Sequence, residues 1–327
     1  MTRRLLCAAA AVAIGIGLTT PGMATGAGGA EHDCPSAAAG YTRLAAVGLS
    51  APPGAEVATK DSRLAACFLA FDGSGHRWTL GMDYLYTRHE YTGVAGRDRD
   101  LHRLQLPIGL SLDAGHGRLD AFVAPGVATS SNVFKDLGSR YSGDDFLLTG
   151  RIEARIHSSP GSAWLIGLAH DRSFGESRSW PVAGIEYHPT ASVGLRLAWP
   201  DPALSLARSD RQSLLVEVFP AGQRWHVVSD ELGERFDYRM EAWRARATWS
   251  IRIAASVVID VSVGWEFGRE HGFTDDTGRR IETGAEDGAL VGIGLRVGGG
   301  PLPRGRGPTL PRFTLSTAMS GESSLRP

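Results

Sequence analysis

Lysine is almost missing from this chain. Lys60 and Lys135 are the only two among 34 basic residues, so positive charge is carried by arginine, and those arginines are scattered rather than gathered in a patch. With a formal net charge of −1, there is no electrostatic reason to expect nucleic acid as a partner. Long apolar runs are also missing. After the first 27 residues no stretch approaches the roughly 18 apolar residues of a spanning helix. A membrane location for the rest of the chain therefore requires a closed sheet, since only helices and barrels satisfy their backbone in lipid. Cysteine is scarce, with three in 327 residues. Cys7 falls in the amino-terminal leader, and an oxidising compartment permits a bridge between the remaining Cys34 and Cys67, although spacing alone does not establish one.

What is present begins with that leader. Residues 1–27 carry Arg3 and Arg4, an apolar run from Leu5 to Leu18, and small residues before Ala27. This is the pattern of a secretory signal peptide, not of a spanning helix, because the run is short and a small-residue cleavage region follows. Residues 28–40 are small, polar and aperiodic, and read as a flexible extension.

The stretch 241–267 then sets the theme. Trp243, Ala245, Ala247, Trp249, Ile251 and Ile253 alternate with Arg244, Arg246, Thr248, Ser250 and Arg252. After a small-residue break at 254–256, Val257, Ile259, Val261, Val263, Trp265 and Phe267 alternate with Asp260, Ser262, Gly264 and Glu266. A period of two means strands with one apolar and one charged face, here long enough to cross a bilayer at a tilt. The expected fold is all-β: a transmembrane antiparallel up-and-down barrel with odd positions toward lipid and even positions toward the lumen.

Similar rows recur at 76–91, 101–113, 146–156, 193–199 and 291–297. Short links at 72–75, 114–117, 158–161, 189–191 and 254–256 alternate with longer polar ones at 92–100, 129–144, 173–178, 230–237 and 269–287, as periplasmic turns and external loops do. Residues 212–229 change phase between Leu214-Val216-Val218 and Trp225-Val227, which a bulge at 220–222 explains within one bent strand. The count is about 14 strands over 41–297, with 12 the nearest alternative. Residues 298–327 are rich in Gly, Pro and Ser. Barrels of this kind commonly end on an aromatic residue; Val297 is not one, so either Phe313 belongs to the true last strand or the tail is an appendage.

These rows resemble a family of bacterial outer-membrane β-barrel proteins of unknown function. The likeness runs from about Trp78 to Val297, chiefly through the segments Ser142-Gly143-Asp144-Asp145-Phe146, Trp180-Pro181-Val182-Ala183-Gly184-Ile185-Glu186-Tyr187-His188-Pro189 and Leu195-Arg196-Leu197-Ala198-Trp199-Pro200. It implies a fold and an outer-membrane location, with membrane lipid and the barrel-assembly machinery as partners. It brings no catalytic residues.

No catalytic constellation stands out. His157 with Ser158, and His170 with Asp171, are the pairs from which a lipid-modifying site is assembled, but polar residues at strand ends account for them more simply. Asp144-Asp145 and Asp275-Asp276 offer clustered oxygens for Ca²⁺, though solvated loop acids are the plainer reading. The ten histidines show no metal spacing, and no cofactor is expected.

One set is singled out as lumen-lining: Arg103, Arg151, Glu153, Arg155, Arg244, Arg246, Arg252, Asp260 and Glu266. Either these fill the barrel as cross-strand ion pairs, the reading we favour, or they line a pore biased toward anions. The functional expectation is a passive channel for small solutes in the outer membrane. The alternatives are a structural or surface-interaction barrel with a filled lumen, and more distantly a lipid-modifying enzyme.

Overall fold

The computed structural model describes residues 37–93, 98–229 and 234–298. The stretch expected to be a signal peptide, Cys34 and the 298–327 tail with Phe313 lie outside these, apart from Gly298. Fourteen antiparallel strands form one closed barrel. In chain order they are β1 (Ala37–Gly48), β2 (Glu56–Gly73), β3 (His76–Thr92), β4 (Arg99–Gln105, resumed as Ile108–Ala114), β5 (Gly117–Ser130), β6 (Phe146–Ser159) and β7 (Ser162–Asp171). They continue as β8 (Arg178–Thr190), β9 (Val193–Trp199), β10 (Ala203–Ser209), β11 (Gln212–Pro220, resumed as Gln223–Ser229), β12 (Glu234–Ala254), β13 (Val257–Asp275) and β14 (Arg280–Ala285, resumed as Gly288–Val297). Each pairs with the next, and β1 pairs with β14 from Ala37↔Val297 to Leu44↔Leu290, which closes the ring. The closing strand as described ends at Val297.

The face pattern follows from the alternation in the sequence. Val263 is 56% exposed and Ile293 59%, and Trp249 and Trp265 also point out. Between them Arg244 and Glu266 are buried inside. Apolar side chains on the outside of a ring and charges within it invert the layout of a soluble protein, and this is the order that lipid demands.

The two ends differ. At one, six hairpins turn in two residues each, at 74–75, 115–116, 160–161, 191–192, 210–211 and 255–256. Gly75 and Gly161 hold φ of 79° and 83° there, a conformation tight hairpin turns need and side chains resist. The other end carries the longer links, including two four-residue helices at Ser131–Phe134 and Leu137–Arg140.

The phase change in β11 is a break at 220–222, as expected: residues before it pair as Pro220↔Trp243 and those after it as Gln223↔Met240. Of two expected loops, 269–287 is instead largely strand, and so is the described part of the other, 234–237. The β12–β13 ladder runs on to Phe236↔Asp275 and leaves a tight link at 276–279. Gly268, at φ 62°, sits at an irregularity in the ladder and shifts the phase, so that Arg269, His271 and Phe273 become the inward row. The outward row there is Glu270, Gly272 and Thr274. Beyond the lipid the outer face no longer needs apolar residues, so the alternation that marks a wall strand fades while its hydrogen bonding continues.

Candidate functional site

The lumen is organised in two layers. In the lower, a ladder of guanidinium–carboxylate pairs joins strands across the wall, some adjacent and some two or three apart. Arg196, on β9 and 0% exposed, forks onto Glu153 of β6 at 2.8 and 3.1 Å. Arg151 donates to Glu153 at 2.6 Å and to Asp201 at 2.9 Å. Arg155 donates to Glu186 at 2.8 Å. On the far side Arg244 donates to Glu266 at 2.6 and 3.0 Å, and Glu266 also holds Arg269 at 3.1 Å. Arg246 reaches Glu217 at 3.0 Å, Arg296 reaches Asp260 at 2.8 Å, and Arg63 and Arg103 share Asp83 at 2.6 and 3.1 Å. A planar fork matches a carboxylate at two points, which is why arginine rather than lysine fills these positions.

Nine residues were expected to line the lumen. Eight of them stand in the pairs just described. Arg252 lies near the short-turn end, half-buried, beside the backbone bond from its own N–H to the Arg211 carbonyl at 2.8 Å. The sequence reading missed their partners, among them Asp83, Glu186, Arg196, Glu217 and Arg296. Each occupies the polar phase of an apolar row, as Arg196 does between Leu195 and Leu197. The same two-residue rule would have found them.

The upper layer is different. The resumed half of β11 and the first part of β12, residues 223–229 and 234–240, pair as a hairpin that crosses the mouth. His226 makes a bridge to Thr129 of β5, which is not a ring neighbour of β11. Thr129 Oγ1 donates to the His226 carbonyl at 3.2 Å, and Asn132 donates to the Val228 carbonyl at 3.2 Å. Behind these bonds Trp225, Val227, Phe236, Tyr238 and Met240 pack on Leu101, Ala128 and Leu147 of β4, β5 and β6. Tyr238 donates to, or accepts from, Nδ1 of His271 at 2.6 Å and meets the Tyr91 hydroxyl of β3 at 3.1 Å. The mouth is therefore closed by a small hydrophobic core of a kind normally found inside a soluble domain.

One ion pair of this hairpin stands beyond the lipid-facing band. His226 Nδ1 lies 3.5 Å from Asp237, which also takes a hydrogen bond from Arg224 at 2.5 Å. Asp237 raises the affinity of His226 for its proton, against the effect of partial burial. The Asp237 carboxyl is pushed up by burial but more strongly down by His226 and Arg224, and is held below its usual range. The histidine's contribution is full below its unfolded pKa of about 6.5 and is lost as pH rises through its higher folded value. The aspartate's contribution is present above about 3.9 and lost as pH falls through its lower folded value. Amide-exchange protection of residues 223–229 and 234–240, corrected for intrinsic rates, is accordingly expected to be greater near about pH 6 than near about pH 9. Equal protection at the two values would contradict this pairing.

Below the mouth cluster a cavity of about 480 Å³ runs down the barrel. Its upper lining includes Leu147, Trp225 and Met240, and its lower lining includes Ala38, Asp260 and Arg296 near the short-turn end. The cavity is polar in its charges and apolar at its roof.

The smaller sequence candidates resolve simply. His170 points outward and Asp171 inward, so they form no pair; His170 instead meets Ser179 Oγ at 2.9 Å and Ser177 Oγ at 3.2 Å. Ser158 bonds Ser162 at 2.9 Å. Asp145 is buried and caps its own turn through Ser142 at 2.8 and 3.0 Å. Asp275 accepts from Thr277 and Arg279 within its own link. Cys67 is disulfide-bonded; Cys34 lies outside the described residues.

The fold and its faces define the class: a β-barrel of the outer-membrane type. No protein-family model matches the chain, and no curated protein matches it. Among solved structures it is similar to an outer-membrane channel from Pseudomonas putida F1, with 12% identity over 84% of this chain and 100% of that one and a TM-score of 0.44. It is also similar to the Pseudomonas putida toluene transporter, at 10% identity over 80% and 88% and a TM-score of 0.34. The β domain of a Bordetella autotransporter gives 13% identity over 80% and 99% and a TM-score of 0.31. These are likenesses of barrel shape; the class itself follows from the strand pairing and the faces.

Proposed function

We propose that the protein sits in the bacterial outer membrane and passes small solutes, with its loop end closed by its own hairpin. The observation that carries this reading is the cavity, which extends from the underside of the Trp225 cluster to Arg296 near the short-turn end. A purely structural barrel has no need to leave such a path through its charged layer. The ion pairs lining it set a mixed character: each arginine in those pairs faces a carboxylate, so no strong anion preference is expected from them.

The test is planar-bilayer recording with the full chain. Wild-type protein is expected to show small, infrequent openings, because the mouth core must yield first. Arg246→Glu places a second carboxylate against Glu217, and the reversal potential in a salt gradient is expected to move toward cation selectivity. Silence from wild type, from Arg246→Glu and from variants with the mouth cluster cut away would instead support the second reading, a filled surface-interaction barrel, which the closed mouth favours.

A further inference from the structure

The wall is not equally tall around the ring. β9 and β10 are seven residues each, joined by the link 200–202. Pairing between β8 and β9 stops at Ala183↔Trp199, although β8 continues along β7 to Arg178↔Asp171. Pairing between β10 and β11 stops at Ala203↔Glu217, with one further bond from the Val218 N–H to the Pro202 carbonyl at 3.0 Å. Above 200–202, then, two strand edges face each other with no strand between them.

The gap is filled by the link 172–177, and chiefly by one side chain. Phe174, 6% exposed, has its ring 5.1 Å from Trp180, 5.7 Å from Trp243 and 6.3 Å from Trp199. Trp180 lines the cavity, while Trp199 is 52% exposed on the outer face and lies 5.5 Å from Trp243. An aromatic file thus passes through the wall from lumen to lipid. The link is tied down by the Gly222 N–H to the Ser173 carbonyl at 2.7 Å, Arg172 to the Arg224 carbonyl at 3.1 Å and Arg239 to Glu176 at 3.2 Å. Its approach to the β11 break is close enough that a Cβ on Gly222 would stand 2.5 Å from the Gly175 nitrogen.

The two closures can be compared. The mouth is shut by a hydrogen-bonded hairpin and a core drawn from five strands. The side is shut by a six-residue link and one phenylalanine. We propose that solute passes between lipid and lumen through the gap above 200–202, with Phe174 as its stopper, and that the solute is a small amphiphile with an apolar body and a polar or ionised head. The apolar body follows from the tryptophans flanking the outside of the gap. The head follows from what lies just inside, where Asp171, Asp201 and Arg151 line the cavity. This proposal rests on the reading of the lumen as a passage.

The test uses the full chain in liposomes, with Ser205→Cys as reporter. Ser205 lies on β10, buried, and lines the cavity. Two thiol probes are compared: N-decylmaleimide loaded into the bilayer, and a sulfonated maleimide added to the water, each read against protein retaining Ser205. With Phe174→Ala, decylmaleimide labelling is expected to accelerate about tenfold or more, since truncating a buried aromatic residue costs more than the roughly 1.4 kcal/mol of one decade. The sulfonated probe is expected to be unaffected. No acceleration, or equal acceleration of both probes, overturns side entry. Phe174→Leu, which keeps most of the packing, is expected to give an intermediate rate and carries the test if the alanine variant does not fold. Fast decylmaleimide labelling with no bilayer current would sustain side entry while refuting through-passage to water. Current with unchanged labelling would do the reverse.

Discussion

Bilayers containing Trp225→Ala are expected to pass current far more often than those containing wild-type protein. Trp225 is 1% exposed, stacks on Tyr238 at 5.8 Å and anchors the crossing hairpin to Leu101, Ala128 and Leu147. Replacing a buried tryptophan with alanine commonly costs about 3–5 kcal/mol. Here that loss falls on the packing of this hairpin against Leu101, Ala128 and Leu147, while the ladder of β11 and β12 from Gln212↔Ile251 to Pro220↔Trp243 does not depend on it. The bonds left between the hairpin and the opposite wall are few: the bridge at His226 and Thr129, the donations of Thr129 and Asn132 to backbone carbonyls and the contact of the Tyr238 and Tyr91 hydroxyls, each worth about 1 kcal/mol net. The equilibrium between closed and open mouth should therefore move by two orders of magnitude or more, at roughly 1.4 kcal/mol per decade. Single-channel open probability is the measurement. An unchanged open probability in a protein that still migrates as a folded barrel would show that the mouth core is not what blocks the lumen.

Glu266→Gln is expected to destabilise the barrel itself. Glu266 is fully buried between two arginines: Arg244 holds it through two hydrogen bonds and Arg269 lies at 3.1 Å. The amide keeps the shape but removes the charge, leaving two buried guanidinium groups with the weaker help of Asp61, 3.7 Å from Arg244. Removing one partner of a buried pair typically costs about 3–5 kcal/mol. The measurement is the urea midpoint of vesicle-embedded protein, read by loss of the heat-modifiable band. Glu282→Gln, whose carboxylate pairs with Arg239 and Arg280 while half exposed, should shift that midpoint little, because exposed pairs are worth about 0–1 kcal/mol. Similar shifts for the two variants would mean that burial inside the barrel does not strengthen these pairs.

The wall was legible in the sequence because a strand in lipid must alternate. Trp243, Trp249 and Trp265 lie outside, and Arg244 and Arg246 inside, as the period requires. The β11 break was legible because a one-residue slip leaves a visible change of phase between Val218 and Trp225. What could not be read was everything that leaves the lipid. At Arg269, His271 and Phe273 the ladder persists but both faces meet polar or mixed surroundings, so the pattern that marks a strand is gone. The mouth core was hidden for a related reason. Leu147, Trp225 and Tyr238 are apolar or aromatic at positions that face inward, and nothing in the local period says that a hairpin will fold across to meet them. Phe174, within a link of six residues, carries no period at all.

The pairing of β1 with β14 has a consequence for how the ring is made. Its seam joins Ala37 to Val297, so the closing contact spans nearly the whole described chain and cannot form until the last strand has been synthesised. Until then the molecule is a ribbon with two bare edges. The entropy of joining distant ends grows only slowly with their separation, yet all of it must be met before the seam's hydrogen bonds contribute anything. Maturation of this protein should accordingly be limited by circularisation of the ribbon, and not by the local zipping of its two-residue hairpins.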